Sequence, residues 1–461
     1  MSRYLIIYYG AYLSLICLAL LNYVIDPYGL YHFAKIDGVN WPKPEIAHST
    51  KIHKSFQVAR VKPQAIVLGT SRSAFGINPE SKAWGGNIKP RYNLALPGGD
   101  IYVTRRFLEH TNATAQLKQV IFGLDFFSFN ANRQIAADYR EDILAINVDG
   151  SKNSRYGYNI ATSALLSTGA IKASFKTIIN KNKDPITVNH AGMLVGKVWK
   201  DNIRQGFNNM EELYIKYVYY AGNKREYSFI NAKTGESSLE EFRKIVVLCK
   251  KSNIDLKLFI SPPHSRHLEI IRVLGIWPLF EEWKRELVRI LHEEKYDSRL
   301  WDFSGYNSYS TDDISKKIDH YYRDSTHYLP ILGDIILARM FNYEDTSITS
   351  NFGYALTVDN IEDNLQRIQR EQEKYQTDYP DDVKDIESLA KKIDFDISDT
   401  VLKRSGHLSK ARWFRSNFRN NPISKALKDH ERGVPLEKLI ATHSITEKTF
   451  NEWKRVYDKN M

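Results

Sequence analysis

Two short segments of the sequence contain residue types that together could perform nucleophilic catalysis. Residues 65–73 read Ala-Ile-Val-Leu-Gly-Thr-Ser-Arg-Ser, an apolar run followed by a glycine and by Ser71. Residues 324–327 read Asp-Ser-Thr-His, which places an acid and an imidazole three positions apart. A serine hydroxyl needs a base to remove its proton, and the base needs a partner that fixes its tautomer. Ser71, His327 and Asp324 could supply all three roles.

Predicted secondary structure around these segments must position the three side chains. The run 65–68 predicts a buried strand that delivers Ser71 to the end of a sheet. Asp324 and His327 lie late in the chain, just before an apolar helix predicted over residues 331–341. Each motif alone has a purely structural explanation, as a strand-to-turn connection or as a surface turn. Their order and setting together favour the catalytic interpretation.

This arrangement resembles the SGNH hydrolase superfamily, in particular its membrane-anchored members similar to the alginate O-acetylation and teichoic acid D-alanylation proteins. The second block of that family has an asparagine and, five residues on, a glycine whose amide helps to bind the oxyanion. The segment 92–100 fits this block, with Gly98 as the first choice of donor and Gly99 as the next. The resemblance implies that the amides of Ser71 and Gly98 stabilise the oxyanion. A plain turn at Pro97-Gly98 is the structural alternative.

The third block of the family, normally Gly-x-Asn-Asp after a strand, departs from the pattern in this chain. After a strand predicted over 119–122 the sequence reads Gly-Leu-Asp, so Asp125 stands at the third oxyanion position, where the family usually has asparagine. An ionised aspartate accepts hydrogen bonds and cannot donate them. Either Asp125 orients a neighbour, or Arg72 takes over as the donor. Thr70 also replaces the aspartate of the family's Gly-Asp-Ser, and these departures indicate a divergent, transferase-like member.

The remaining pattern over residues 61–345 predicts an α/β domain with a flavodoxin-like, three-layer fold and a parallel sheet. Helices predicted at 239–251 and 277–294 alternate with strands at 255–260 and around 300–302. Ligands of such sheets bind at the carboxyl ends of the strands. His264 and His267 follow one strand end and could line a substrate pocket with Arg72 and Gly99. His264 could also be a rival base, or both histidines could be surface residues of a loop.

The N-terminal segment determines the predicted compartment. Residues 4–25 contain no charged side chain, and this length of helix measures roughly 33 Å, enough to span a bilayer. A cleaved signal peptide would have a shorter apolar core, more preceding basic charge and a small-residue cleavage site, so an uncleaved anchor is favoured. Arg3 and the amino terminus favour an N-terminus inside. The prediction is a single-pass inner (cytoplasmic) membrane protein with residues 26–461 in the periplasm or outside the cell.

Composition and breaker residues predict the remaining domain organisation. Residues 26–60 form a connector, residues 130–236 an insertion that caps the site, and residues 346–376 a helical extension with a helix over 360–375. Residues 377–461 form a basic helical tail. The chain has 461 residues, a net charge of +11 and two cysteines far apart, so no disulfide is expected. No metal-ligand spacing such as His-Glu-x-x-His appears, so we expect no metal site and no cofactor.

The tail offers a competing function. Basic and aromatic residues are interleaved between 402 and 433, a composition that could bind a polyanion. Residues 436–457 resemble a small helix-turn-helix, although a helical hairpin packed on the catalytic domain is the favoured interpretation. DNA binding would need the tail in the cytoplasm, which a single span shared with an exported enzyme forbids. We therefore do not expect nucleic acid as a partner.

The sequence thus predicts a membrane-anchored, SGNH-like O-acyltransferase or esterase that acts on a cell-surface polysaccharide. The resemblance implies that the acyl group is acetyl, that a cell-surface glycan accepts it, and that a multi-span membrane acyltransferase hands it over. Two alternatives stay open. One is a catalytically silent SGNH scaffold that binds glycan or assembles a surface-polymer export machine. The other is a membrane-tethered nucleic-acid-binding protein that acts through its tail.

Overall fold

The computed structural model describes residues 2–31, 33–180, 185–196, 203–219, 227–296, 298–314, 321–343, 349–405, 429–430, 432–443 and 454. The strands are β1 (Ala65–Leu68), β2 (Arg91–Asn93), β3 (Gln119–Leu124), β4 (Thr187–Val188), β5 (Leu194–Val195), β6 (Asp255–Ile260), β7 (Leu300–Asp302) and β8 (Tyr354–Leu356). The helices are α1 (Ser2–Ile25), α2 (Thr50–Val61), α3 (Ser71–Gly76), α4 (Ile101–Thr114), α5 (Tyr156–Leu165), α6 (Thr168–Ile179), α7 (Ile203–Leu213), α8 (Ser238–Lys251), α9 (Ser265–Val273), α10 (Trp277–Glu293), α11 (Pro330–Phe341), α12 (Ile361–Asp378), α13 (Pro380–Ser405) and α14 (Leu436–His443). A π-helical turn over Tyr214–Tyr219 follows α7.

A mostly parallel, six-stranded sheet in the order β2-β1-β3-β6-β7-β8 lies at the centre of this mixed α/β structure. Its neighbouring strands from β2 to β7 pair in parallel, and β8 pairs antiparallel to β7. The chain moves from β1 outward to β2 and then returns to place β3 on the other side of β1. Connections therefore change direction between β1 and β3. In open sheets, a ligand crevice forms at such a point, outside the carboxyl ends of the strands.

Both faces of the sheet are covered, which explains the continuous apolar runs in the sequence. All residues of β1 and β3 are buried, the pattern of a parallel sheet with helices on both sides. Ile66 lies in one apolar cluster with Phe107 of α4 and Phe242 of α8. Val67, which points to the opposite face, lies in a second cluster with Leu332 of α11. Each such buried side chain stabilises the fold by about 1.5–3 kcal/mol.

The predicted α/β class and most of the predicted elements are confirmed. The strands at 65–68, 255–260 and 300–302 have the predicted bounds, and β3 runs two residues beyond the predicted 119–122. The helices predicted at 239–251, 277–294 and 331–341 are α8, α10 and α11, each shifted by one residue at one end. The antiparallel β8 was not predicted, since three residues of an edge strand give too short a pattern to recognise.

The predicted insertion and extensions are only partly described. Residues 130–236 contain α5, α6, α7 and the antiparallel pair β4–β5, and the helix predicted over 360–375 is α12. Most of the basic cluster between 402 and 433, and most of the helix-turn-helix predicted over 436–457, lie outside the described residues. Neither tail prediction is therefore tested.

Helix α1 projects from the folded body, and most of its side chains are exposed. Tyr4–Ile25 is the one helix of the described residues that is long and apolar enough to cross a membrane. Where α1 ends, Asp26 turns the chain with a positive φ of +49° and forms a buried ion pair with Lys43, with 3.1 Å between Oδ2 and Nζ. Asp26 Oδ1 also accepts a hydrogen bond from the Leu30 amide at 2.7 Å. These contacts fix the end of α1 to the connector.

Candidate active site

The turn after β1 places Ser71 at the carboxyl end of the sheet. Gly69 has a φ of +140°, and a Cβ at this position would lie 2.5 Å from Ser73 Oγ and 2.9 Å from the Gly123 carbonyl oxygen. Only glycine fits both the conformation and the space. Thr70 then caps α3, because its side-chain oxygen accepts a hydrogen bond from the Arg72 amide at 3.3 Å. Ser71 is the first residue of α3 and remains partly exposed.

A tight loop before α11 carries the candidate acid and imidazole. Tyr322 and Tyr328 form an antiparallel bridge, and the Arg323 amide donates a hydrogen bond to the His327 carbonyl oxygen at 3.0 Å. Asp324 closes the loop from within: its Oδ1 accepts hydrogen bonds from the amides of Thr326 and His327, each at 2.9 Å. The loop geometry therefore depends on the same carboxylate that faces the imidazole.

Ser71, His327 and Asp324 form one continuous chain of hydrogen bonds. Ser71 Oγ lies 2.8 Å from His327 Nε2 across 256 positions of sequence. His327 Nδ1 lies 2.8 Å from Asp324 Oδ2. With Asp324 ionised, Nδ1–H donates to the carboxylate, and Nε2 is left to accept the proton of the Ser71 hydroxyl. The structure thus brings together the three residues selected from sequence, and their catalytic roles stay a prediction.

The surroundings of Asp324 favour the ionised carboxylate that this arrangement needs. Burial by itself would raise the pKa of Asp324. His327 and the amides of Thr326 and His327 outweigh that effect and hold the pKa below its ordinary value. A negative charge is thereby kept beside Nδ1, where it stabilises the imidazolium that forms when His327 takes a proton.

An aromatic side chain supports the imidazole from the other direction. Phe75, one turn after Ser71 in α3, contacts the His327 ring edge-on with 5.4 Å between ring centroids. The guanidinium of Arg323 lies 4.0 Å from the centre of the Phe75 ring. Because Ser71 and Phe75 belong to the same short helix, the helix that carries the hydroxyl also contacts the imidazole ring that faces this hydroxyl.

The segment after β2 provides both a support and a candidate oxyanion donor. Asn93 is completely buried, and its Nδ2 donates hydrogen bonds to the carbonyl oxygens of Ser73 at 2.9 Å and Ile77 at 2.8 Å, which anchors α3. Gly98 is exposed and has a φ of +63°. Gly99 is buried, and its amide donates to the Leu96 carbonyl oxygen at 3.0 Å. Of the two glycines, Gly98 therefore has the amide better suited to a ligand.

Asp125 and Arg72 lie beneath the candidate site in a buried polar network. Asp125 Oδ2 accepts a hydrogen bond from the Thr70 hydroxyl at 2.6 Å, and Oδ1 accepts one from Arg72 Nη1 at 3.2 Å. Burial opposes the charge of Arg72, but the Asp125 carboxylate is among the neighbours that keep the pKa of Arg72 above its ordinary value. Of the two alternatives from sequence, this geometry favours Asp125 as a residue that orients neighbours. Arg72 is 3% exposed, and its guanidinium contacts Asp125 Oδ1 and His267 Nε2.

The structure places His267 in the interior, not in a substrate pocket. His267 is completely buried in α9, and its Nε2 lies 3.0 Å from both Arg72 Nη2 and the Tyr219 hydroxyl. Burial and the charge of Arg72 hold the pKa of His267 well below its ordinary value. A neutral His267 accepts hydrogen bonds at Nε2, so it extends the network of Asp125 and Arg72. The loop-surface alternative from sequence does not fit either, since no part of this ring reaches solvent.

His264 is also internal, where it caps helix α9. Only 2% of His264 is exposed. Its Nδ1 accepts a hydrogen bond from the Arg266 amide at 3.2 Å, and its Nε2 lies 2.9 Å from the Asp312 carbonyl oxygen. Both ring nitrogens are therefore occupied. The geometry favours His327, not His264, as the base for Ser71.

Replacement of His264 by asparagine should make the protein less sensitive to acid. Burial lowers the pKa of His264 to about 4, whereas a histidine of the unfolded chain titrates near ~6.5. Between these values the unfolded chain binds a proton that the folded protein excludes. The free energy of unfolding therefore decreases by about 3 kcal/mol for this group as the pH is lowered through this range. Asparagine also caps helices but does not titrate. The melting temperature of His264→Asn, measured between pH ~4 and pH ~7, should fall less on acidification than that of the wild type. An equal fall in both proteins would contradict the role of His264 as a buried, neutral helix cap.

Two cationic residues near the site were not selected from sequence. Arg133 donates hydrogen bonds to the carbonyl oxygens of Gly98 at 3.4 Å and Phe127 at 3.5 Å. Lys54, fully buried, donates to the Ala95 carbonyl oxygen at 2.5 Å, and burial lowers the pKa of Lys54 to about 7. Both support the segment that carries Gly98. Sequence offered no signal for them, since lysine and arginine are ordinarily surface residues.

Within the described part of the chain, no group of three or more histidine, cysteine, aspartate or glutamate side chains is placed to hold a metal ion. Cys17 and Cys249 are free, the first exposed and the second buried. In comparisons with known proteins, the chain matches no protein-family model and no curated protein. The candidate site must therefore be interpreted from its own geometry.

Proposed function

We propose that this protein is a membrane-anchored, SGNH-like serine acyltransferase or esterase. The observation that carries the proposal is the hydrogen-bonded chain from Ser71 through His327 to Asp324, with 2.8 Å from Oγ to Nε2 and 2.8 Å from Nδ1 to Oδ2. A hydroxyl, an imidazole of fixed tautomer and a buried carboxylate in this order form an activated nucleophile.

The position of each segment in the sheet supports the SGNH-like interpretation. With the separate pair β4–β5 left aside, the parallel strands have the order 2-1-3-4-5, which is that of flavodoxin-like sheets. Ser71 follows β1, Gly98 follows β2 and Asp125 follows β3, so all three lie at the carboxyl edge. This is the edge at which ligands of such sheets bind.

The proposed reaction has two steps. Ser71 Oγ attacks the carbonyl carbon of an acyl donor while His327 Nε2 accepts the hydroxyl proton. The amides of Ser71 and Gly98 stabilise the resulting oxyanion, and Nε2 returns the proton to the leaving group, which leaves an acyl-serine. His327 then removes the proton of an acceptor hydroxyl, or of water, which attacks the acyl-serine. Collapse of the second intermediate releases the product and restores the proton to Ser71.

The proposed setting is the outer side of a membrane. Helix α1 anchors the chain through residues 4–25, and residues 26–461 lie in the periplasm or outside the cell. We propose a hydroxyl of a cell-surface polysaccharide as the acceptor, acetyl as the acyl group and a multi-span membrane acyltransferase as its source. The exposed position of Gly98 and the partial exposure of Ser71 support access by a large acceptor from solvent.

A fluorophosphonate probe on the detergent-solubilised full-length protein tests the proposal directly, because such probes phosphonylate only an activated serine. Labelling should require both Ser71 and His327, and should disappear in Ser71→Ala and in His327→Ala. Folded variants are verified by circular dichroism. Absence of labelling in the folded wild type would contradict the proposal and favour a catalytically silent scaffold, which glycan-binding assays would then test.

The oxyanion role of Gly98 predicts a selective loss of turnover in Gly98→Ala. A Cβ on Gly98 would meet no atom within 4 Å, so the variant adds only backbone strain at a φ of +63°, which costs roughly 1–2 kcal/mol. If that strain moves the amide away from the oxyanion, kcat should fall by about 10²-fold with KM nearly unchanged.

Gly86→Ala is the matched control for this variant. Gly86 has a φ of +80°, its Cβ would also meet no atom within 4 Å, and it lies before β2, at the amino end of the strand. Steady-state kinetics of the two variants separates strain from catalysis. Equal kcat in both would show that the Gly98 amide does not contribute to the reaction.

A further inference from the structure

Helix α6 has an apolar surface that the folded body does not cover. The residues Ala170, Ala173, Ser174 and Thr177 form its buried face. On the other side, near the C-terminal end, Phe175 is 57%, Ile178 40% and Ile179 68% exposed. Three large apolar side chains within five residues would be costly to leave in water. Something apolar is therefore expected to cover this end of the helix.

The position of α6 along α1 indicates what covers it. Asn22 of α1 is completely buried: its Nδ2 donates to the Leu165 carbonyl oxygen at 2.8 Å, and its Oδ1 accepts from Ser174 Oγ at 2.7 Å. Nearer the body, a Cβ at Gly169 would lie 3.3 Å from the Tyr28 hydroxyl. As the chain of α6 advances from Gly169 to Ser174, its contacts thus move back from Tyr28 to Asn22.

Helix α6 therefore runs antiparallel to α1, and its next residues extend along the apolar part of α1. Ile179 lies five residues beyond Ser174, which corresponds to about 7.5 Å of helix. Interfacial helices bury their apolar faces about 5–10 Å into the boundary between headgroups and acyl chains. The end of α6 thus reaches the depth at which a bilayer around α1 would accept it.

We propose that the C-terminal end of α6, with Phe175, Ile178 and Ile179, inserts into the membrane leaflet that surrounds the C-terminal end of α1. Lys172 is exposed, and Lys176 is largely exposed while its Nζ contacts Glu45 Oε1 at 2.9 Å. The ammonium group of Lys172 can reach the phosphate level while its stem packs on apolar surface. Helix α1 and the C-terminal end of α6 together hold the folded body at two points and fix its orientation on the membrane. The proposal rests on the membrane span of α1 and is independent of acyl transfer.

Site-specific fluorescence in reconstituted vesicles tests this proposal on the full-length chain. Cys17→Ser removes the exposed thiol, and the buried Cys249 stays unreactive in the folded protein. The variants Phe175→Cys and Ile179→Cys carry an environment-sensitive dye, with Ser14→Cys in α1 as the membrane reference. Lys374 of α12 is the solvent reference, since its side chain is exposed. Phosphatidylcholine vesicles contain lipid with a spin label at a shallow or a deep acyl position.

The dye at Ile179 and at Phe175 should be quenched by shallow spin-labelled lipid several-fold more than the dye at Lys374. The dye at Ser14 should be quenched best by the deep label. If Ser14 is quenched and Ile179 behaves like Lys374, α1 spans the membrane but α6 stays in water, which overturns the proposal alone. If Ser14 is not quenched either, the span itself fails. Protection of Ile179 from aqueous iodide only in native membranes, without lipid quenching, would overturn the proposal in favour of a protein partner.

Discussion

Turnover of an acyl donor is expected to fall by about 10⁶-fold in Ser71→Ala, the loss seen when a serine triad loses its nucleophile. Ser71 Oγ is the atom that faces His327 Nε2 at 2.8 Å, so the variant leaves the base without a nucleophile to activate. No acyl-enzyme can form. Intact-mass spectrometry of the protein after brief exposure to an activated acetyl ester should detect one acetyl group on the wild type and none on Ser71→Ala.

Ser73→Ala provides the matched control, since Ser73 lies in the same helix and is completely buried below the candidate site. This variant should keep the acyl-enzyme signal and most of the turnover. Ser71 is partly exposed, so its replacement should change the free energy of unfolding by less than about 0.5 kcal/mol. Wild-type turnover in a folded Ser71→Ala protein would refute the proposed nucleophile, and loss in both variants would attribute the effect to α3 as a whole.

Sequence predicted well those features that depend on short apolar patterns. The buried strand at 65–68 and the helix after His327 were both expected, and each has a local physical cause. The contact between Ser71 and His327 has no such local cause, because it joins residues 256 positions apart. It was anticipated only through the order of the motifs and the resemblance that they carry.

Roles that depend on burial were not predictable in the same way. His264 and His267 stand after a strand end, where a ligand-binding residue is a reasonable expectation, but nothing local indicates that both rings are internal. An imidazole nitrogen that accepts from a backbone amide, as His264 Nδ1 does from Arg266, replaces the usual serine or aspartate of a helix cap. Such a use becomes visible only when the partners of both ring nitrogens are known.

The two departures from the family pattern are related to each other in the structure. Thr70 replaces an aspartate of the pattern, Asp125 replaces an asparagine, and the Thr70 hydroxyl donates to Asp125 Oδ2 at 2.6 Å. The turn after β1 has no carboxylate, but Asp125 at the end of β3 places one beside it. Arg72 Nη1 lies 3.2 Å from Asp125 Oδ1. In sequence these were two separate anomalies 55 positions apart. In the fold they form one hydrogen-bonded unit in the turn that carries Ser71.

Replacement of Asp324 by asparagine should lower kcat by about 10⁴-fold while the loop keeps its shape. Asparagine retains one carbonyl oxygen for the amides of Thr326 and His327, but its NH₂ would donate towards His327 Nδ1. The imidazole would then carry its proton on Nε2 and could not accept one from Ser71. Turnover of Asp324→Asn, measured with the ester used for the wild type, checks this expectation.

Stability provides a second readout of the same variant. The neighbours of Asp324 hold its pKa below the ordinary value, so the carboxylate contributes stability above pH ~3.9 that is lost as the pH falls through its lower, folded-state pKa. Asp324→Asn should lose that contribution at neutral pH and differ less from the wild type in acid. Asp255→Asn is the control, because Asp255 is the first residue of β6 and therefore lies at the amino ends of the parallel strands, whereas Ser71 lies at their carboxyl ends. Wild-type kcat in Asp324→Asn would exclude Asp324 as the residue that fixes the tautomer of His327.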